Sequence, residues 1–187
     1  MPYSSAPLRR TGVGTRMRGE NGTAAFERLV ATLDYPMFVV CTRAHGTDDP
    51  PAGCLVGFAS QTSIDPPRFL VGLSRLNHTY RIAENAKHLA VHVVSRRDRR
   101  LAELFGEQTG DRIDKFDHCD WSPGPAGMPI LTAAAAWFVG RIVDRFDLGD
   151  HVGHLLEPVS GMSPDGIEDW LSFSDLRDLT PGHPAKT

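Results

Sequence analysis

The sequence predicts a mainly β protein, a β-barrel with short helices added to it. Three observations carry that expectation. Short apolar runs bounded by Gly, Pro, Asn and Asp recur along the chain. The helical faces between them are few and short. Strands do not alternate regularly with long helices, which disfavours a doubly wound parallel sheet.

Residues 1–21 are rich in Ser, Gly, Pro and Arg and poor in large apolar groups, so a loose tail is expected there. Phe26, Leu29, Val30 and Leu33 fall at i, i+3, i+4 and i+7, one face of a short helix that Tyr35-Pro36 ends. Residues 37–42 form an apolar run of strand length, and the Gly, Asp and Pro residues of 44–51 supply a turn. A second strand is expected over 53–60 and a third over 68–74, with a corner at Asp65-Pro66-Pro67 between them. A helix over 80–86 precedes a fourth strand over 89–94. Leu101, Leu104 and Phe105 mark one face of a helix over 97–105, and residues 106–128 are expected to be irregular. Two more strands, 135–146 and 151–159, flank the turn Asp147-Leu148-Gly149-Asp150. One domain is therefore expected over 22–175, between a tail at 1–21 and a second tail at 176–187.

Composition narrows the function. The chain has 187 residues, 41% hydrophobic and 23% charged, which is ordinary globular usage. A core of that size needs no disulfide or structural metal. The balance of 20 Lys+Arg against 23 Asp+Glu gives no basic footprint for nucleic acid. Three separated cysteines argue against a secreted disulfide framework and a zinc ribbon. No apolar run approaches the roughly 20 residues that span a bilayer, and no apolar segment follows the N-terminal arginines, so a cytoplasmic location is expected.

Three segments carry candidate chemistry. The run from Gly53 to Pro67 has two glycines in a strand and the polar series Ser60, Gln61, Thr62, Ser63, which suits a flat ring needing backbone groups at its edge. On spacing alone an ordinary strand and turn explains it as well. Arg75, Asn77 and Thr79 stand at a helix start, where a phosphate or simple capping by Asn77 fits. Gly149-Asp150-His151 opens a strand at a hairpin turn, where the histidine serves as a hydrogen-bond donor or sits in solvent. His92 and His154 fall inside strands and are expected to be satisfied by the sheet. No HExxH, GxSxG, Walker A or GxGxxG pattern occurs, so the metalloprotease, serine hydrolase, P-loop and Rossmann readings lose their usual support.

These segments, in this order, resemble the flavin reductase-like family of FMN-binding split barrels. The resemblance covers about 26–159. It rests on Tyr35-Pro36 with the strand after it, on 53–63 closed by Ser63-Ile64-Asp65-Pro66-Pro67, and on 69–74 leading to Arg75-Leu76-Asn77-His78-Thr79. Residues 89–94, 101–105, Ala136-Trp137-Phe138 and Gly149-Asp150-His151 complete it.

The resemblance implies a homodimeric split barrel that binds FMN, or alternatively FAD. It takes hydride from NADH or NADPH and supplies reduced flavin to a partner monooxygenase. By position, Cys54, Leu55, Val56 and Gly57 lie along the isoalloxazine, and Gln61, Thr62 and Ser63 reach the ribityl chain or the ring edge. Arg75, Asn77 and Thr79 hold the phosphate. Gly149, Asp150 and His151 line the nicotinamide site, with His151 positioning the nicotinamide. Leu55, Val56 and Gly57 stand where many relatives carry polar residues, so backbone groups must supply most ring hydrogen bonds. Two alternatives remain open: an FMN- or deazaflavin-binding redox protein that uses no nicotinamide itself, and a dimeric interaction domain that has lost its cofactor.

Overall fold

The structure, a computed structural model, describes residues 21–46 and 49–182. The chain divides into two compact units, residues 1–33 and 34–187. In the first, Asn21 accepts a hydrogen bond from the Thr23 amide at 3.1 Å and starts helix α1, Gly22–Val30. Helix α1 thus begins where the expected tail ends. Residues 1–20 of that tail lie outside the described residues. Phe26 and Leu29, on the face that the spacing predicts, are exposed.

The second unit is built on a seven-stranded sheet. Its strands are β1 (Phe38–Thr42), β2 (Ala52–Val56), β3 (Ala59–Ser63), β4 (Arg68–Ser74), β5 (His88–Val93), β8 (Ala136–Asp147) and β9 (His151–Met162). All neighbours pair antiparallel, in the order β2-β1-β5-β8-β9-β4-β3. The two end strands are consecutive in the chain, with only Gly57 and Phe58 between them. At that corner the Gly72 amide donates to the Phe58 carbonyl at 2.7 Å. The sheet therefore curls until its ends meet, as the expected barrel requires.

The corner also corrects the single strand expected over 53–60. Both halves have strand character, so local pattern runs through the break. At the break the Ala59 amide donates to the Gly57 carbonyl at 3.0 Å, and the packing leaves room only for glycine: a Cβ on Gly57 would lie 2.5 Å from Tyr35 Cε2 and 2.9 Å from Met37 Sδ.

Residues of β1 alternate between two apolar cores, because successive side chains leave opposite faces of a strand. Val39 and Cys41 join one cluster with Phe105, Leu131 and Leu171. Val40 joins the other with Cys54, Val71, Leu89 and Leu156. Both faces are covered, which is why 37–42 reads as a continuous apolar run. Helix α2 (His78–Ala83) contributes Ala83 to the second cluster. Helix α3 (Arg99–Glu107) buries Leu101, Ala102 and Phe105 in the first.

Two further differences from the sequence expectation concern residues 106–128 and 176–187. The first stretch contains β6 (Trp121–Pro123), which pairs with β7 (Pro129–Leu131) in a separate two-stranded sheet. Strands of three residues with a proline in each carry no readable period. In the second, Leu176 is buried and Leu179 packs against the first core cluster, so ordered chain continues past 175. Ser172 caps this segment reciprocally with Asp175, and the Phe173 amide donates to the Tyr35 carbonyl at 2.9 Å. Residues 183–187 lie outside the described residues.

His92 is satisfied as expected. Its Nδ1 lies 3.0 Å from the Val39 carbonyl, and its Nε2 accepts from the Leu131 amide at 3.3 Å. Burial lowers its pKa to about 4. His154 differs: Nδ1 lies 3.1 Å from the Val152 carbonyl, but Nε2 is buried with no hydrogen-bond partner among the described residues. Burial, and then Arg145, lower its pKa to about 4.

Candidate functional site

Among the described residues β2 is an end strand of the sheet and pairs with β1 alone. Half of its backbone N–H and C=O groups therefore have no ladder partner on the outer edge. Beside it lie two adjoining clefts, of about 380 and 160 Å³. Leu55, Phe58, Ser74, Asn77 and His151 line both. Phe105, Gly106 and Phe173 close the larger cleft, while Tyr35, Cys54, Val56 and Gly57 close the smaller. The Tyr35 and Phe173 rings stack at 5.0 Å and 12°. An edge strand with free backbone groups, flanked by Leu55, Phe58 and Phe173, suits a flat heteroaromatic ring. The residues present fit a flavin on that ground.

The turn between β8 and β9 builds the opposite wall. Gly149 adopts φ +95°, open to glycine and strained for other residues, and its amide donates to Asp147 Oδ1 at 2.9 Å. Arg75 reaches across from the end of β4. Its Nε donates to the Gly149 carbonyl at 3.1 Å, and Nη2 lies 3.2 Å from Asp147 Oδ1. The Gly149 amide, and then Arg75, hold the Asp147 carboxyl below its ordinary range. His151 Nδ1 lies 2.7 Å from Asp150 Oδ1. That bond lowers the Asp150 pKa. The Phe58 ring packs edge-on against His151 at 5.0 Å. An Nδ1–H donated to Asp150 orients the imidazole and leaves Nε2 as its other hydrogen-bonding atom.

The structure thus gathers Cys54, Leu55, Val56, Gly57, Asn77, Asp150 and His151 around the clefts. Arg75 and Gly149 stand behind His151 and fix its turn. Thr79 is buried, its amide donates to Asn77 Oδ1 at 3.0 Å, and it lines neither cleft. Asn77 therefore caps α2 as well as lining the site. Gln61 and Thr62 are exposed on the end strand β3, and none of Gln61, Thr62 and Ser63 lines these clefts. Cys54 is a buried thiol whose pKa is raised by burial, which disfavours a thiolate nucleophile.

Phe58, Phe105, Phe173 and Lys115 are not among the site residues that the sequence reading names. Phe58 had a signal, a large aromatic between Gly57 and the polar run. Lys115 had none, since a lysine in a polar stretch reads as solvated. It is buried, and its Nζ donates to the Gly53 carbonyl at 3.0 Å and the Phe105 carbonyl at 3.1 Å. It ties β2 to the end of α3, two walls of the site. A larger groove of about 580 Å³ lies along α3 between Arg97 and Cys119, and none of the candidate residues lines it.

The fold is that of a flavin reductase-like domain. The chain belongs to that family, whose match covers residues 30–175. It is 34% identical over 110 residues to the reductase subunit of stachydrine N-demethylase from Rhizobium meliloti, covering 57% of this chain and 46% of that protein. The chain thus spans under half the length of that relative. It is 29% identical over 156 residues to an FMN reductase (NADH) from Agrobacterium fabrum, covering 83% and 84% of the two chains. Among solved structures, the NADH:FAD oxidoreductase of Streptomyces globisporus, in complex with NAD and FAD fragments, superposes with a TM-score of 0.70. It is 21% identical and covers 82% of this chain and 89% of its own, which bears on the fold alone.

Proposed function

We propose that the protein is an NAD(P)H:flavin oxidoreductase that reduces FMN or FAD and supplies the reduced flavin to a flavin-dependent monooxygenase. The observation that carries this reading is His151, held by Asp150 and Phe58 at the mouth of an apolar cleft beside the unpaired edge of β2. The relatives named as FMN reductase and as a demethylase reductase subunit support it.

In this reading the bound flavin supplies the hydride-accepting chemistry, and no side chain need act as acid or base. Leu55, Val56 and Gly57 give the ring its apolar face and its backbone partners. Cys54 fills space behind them. Ser74 and Asn77 hold the ribityl and phosphate end, and Arg75 lowers the cost of the phosphate charge nearby. His151 positions the nicotinamide and offsets negative charge on the reduced ring. Phe58 and Phe173 exclude water.

The same reading makes the protein a homodimer. Phe146, Val159 and Met162 on β8 and β9, with Ile64 beyond β3, are exposed apolar residues that a second copy would cover. Gln61, Thr62 and Ser63 would then reach a flavin only from the neighbouring subunit. We place the protein in the cytoplasm; no helix among the described residues is long and apolar enough to cross a membrane.

The test is an anaerobic mixture of protein, FMN or FAD, and each reduced nicotinamide, followed by flavin bleaching. Fast protein-dependent bleaching is expected, and the faster donor names the preference. A second reading, a flavin or deazaflavin carrier that uses no nicotinamide, rests on the apolar Leu55 and Val56 beside the ring. Flavin that binds but does not bleach would favour it.

A further inference from the structure

Lys115 is a buried charge that the reductase reading leaves unused. It is 5% exposed and opens one turn of 3-10 helix, Lys115–His118. Its Nζ donates to the Gly53 carbonyl of β2 at 3.0 Å and to the Phe105 carbonyl, near the C-terminus of α3, at 3.1 Å. The last carbonyls of a helix have no partner within it and form the negative end of its dipole, so a cation is well held there. Among the described residues no carboxylate lies within ion-pair reach of this ammonium. Asp114, its neighbour in sequence, is turned to the Phe116 amide, which donates to its Oδ1 at 2.9 Å. Carbonyls carry only partial charges, so a net positive charge stays in a dry place.

That charge lies one layer behind the candidate cleft. Phe105 lines the larger cleft, and Gly53 directly precedes Cys54 and Leu55, which line the smaller. Nζ lies over the Phe105 ring, 5.5 Å from its centre. The two walls touch: a Cβ on Gly53 would lie 2.6 Å from Phe105 Cε1, and one on Gly106 would lie 3.0 Å from Leu55 Cδ2. Burial raises the Cys54 pKa, and a Thr79 hydrogen bond and the Lys115 charge oppose that rise. A residue of the cleft wall therefore feels this charge.

Hydride transfer breaks a C–H bond of the reduced nicotinamide and forms an N–H bond on the flavin with the same electron pair. It leaves one more negative charge on the flavin and one more positive charge on the departing nicotinamide. A fixed positive charge behind a low-dielectric wall favours the more negative form of the flavin.

We propose that Lys115 is a positioning residue of the flavin site, which joins β2 to α3 and whose fixed charge favours reduced over oxidised flavin. The inference rests on the flavin reading above.

The test is the midpoint potential of FMN bound to excess full-length protein, read in an anaerobic titration with reference dyes at pH 7 and without nicotinamide. Lys115→Gln keeps a donor for the carbonyls and removes the charge. It should weaken reduced FMN about tenfold more than oxidised FMN, which moves the potential about 30 mV more negative. Lys115→Arg keeps the charge and should hold the potential of the unaltered protein. An unchanged potential in Lys115→Gln would overturn the inference. Equal weakening of both flavin forms there, or loss of both, would overturn it too, because a lysine with a purely structural role gives that result. A drop in Lys115→Arg as large as in Lys115→Gln would count against the charge in the same way. Unaltered protein that binds neither form of FMN would overturn the flavin reading as well.

Discussion

His151 and Asp150 show how one hydrogen bond orients a side chain. The histidine is held from Nδ1 and packed by Phe58, so its remaining nitrogen is the atom available to a ligand. His151→Ala is expected to lower kcat/KM for the reduced nicotinamide by about tenfold or more while the flavin dissociation constant changes little. Equal losses in both, or none in either, would remove the proposed role. The two buried histidines make a different prediction. His92 and His154 are neutral in the fold with pKa values near 4, against 6.5 when unfolded. The folded protein binds fewer protons than the unfolded chain between those values. Their contribution is therefore complete above pH 6.5 and is lost as pH falls toward 4. Carboxylates held low, such as Asp111 at about 2, act only below their ordinary value of 3.8. Melting temperature should fall between pH 6.5 and 4, and His92→Gln should flatten that fall even if it lowers the midpoint at pH 7.

At the scale of elements, the corner between β2 and β3 joins the barrel's two ends. Gly57→Val would place side-chain atoms into Tyr35 and Met37. A loss of about 1–3 kcal/mol in denaturant unfolding is expected, with weaker flavin binding, because the same corner carries Phe58. Lys115 ties β2 to α3 through two carbonyls. These elements explain how much of the site was legible. Gly149-Asp150-His151 was readable because a turn, a left-handed glycine and a histidine are adjacent in sequence. The distance of Thr79 from the clefts was not readable. Its neighbour Asn77 takes both the capping and the lining position, and only the path of α2 against β2 decides which side chain faces the cleft. Gln61, Thr62 and Ser63 look like ligand groups by composition, but β3 is an end strand that carries them away from the cleft.

For the whole molecule, the chain after 169 completes both the core and the site. Leu171 and Leu176 are buried in the first cluster, and Phe173 faces the cleft. Arg96 pairs with Asp175, and Arg99 with Asp178 at 2.6 Å, which lay this segment along α3. Leu171→Ala is expected to cost about 2–5 kcal/mol. Thermal unfolding would report this as a fall of several degrees or more, and an unchanged midpoint would show that the segment does not hold the core together.

The sequence alone determined the strand runs, the main helices, the corner at 65–67, the β8–β9 turn and the family resemblance. Those features follow from period, turn chemistry and local order, and each is written within a few neighbouring residues. Tertiary structure decided what depends on distant partners: the close packing of Tyr35 and Met37 on Gly57; the burial of Lys115 between Gly53 and Phe105; and the packing of Leu176. Contacts between residues far apart in the chain leave no period or composition signal, because each partner reads locally as an ordinary glycine, lysine or leucine.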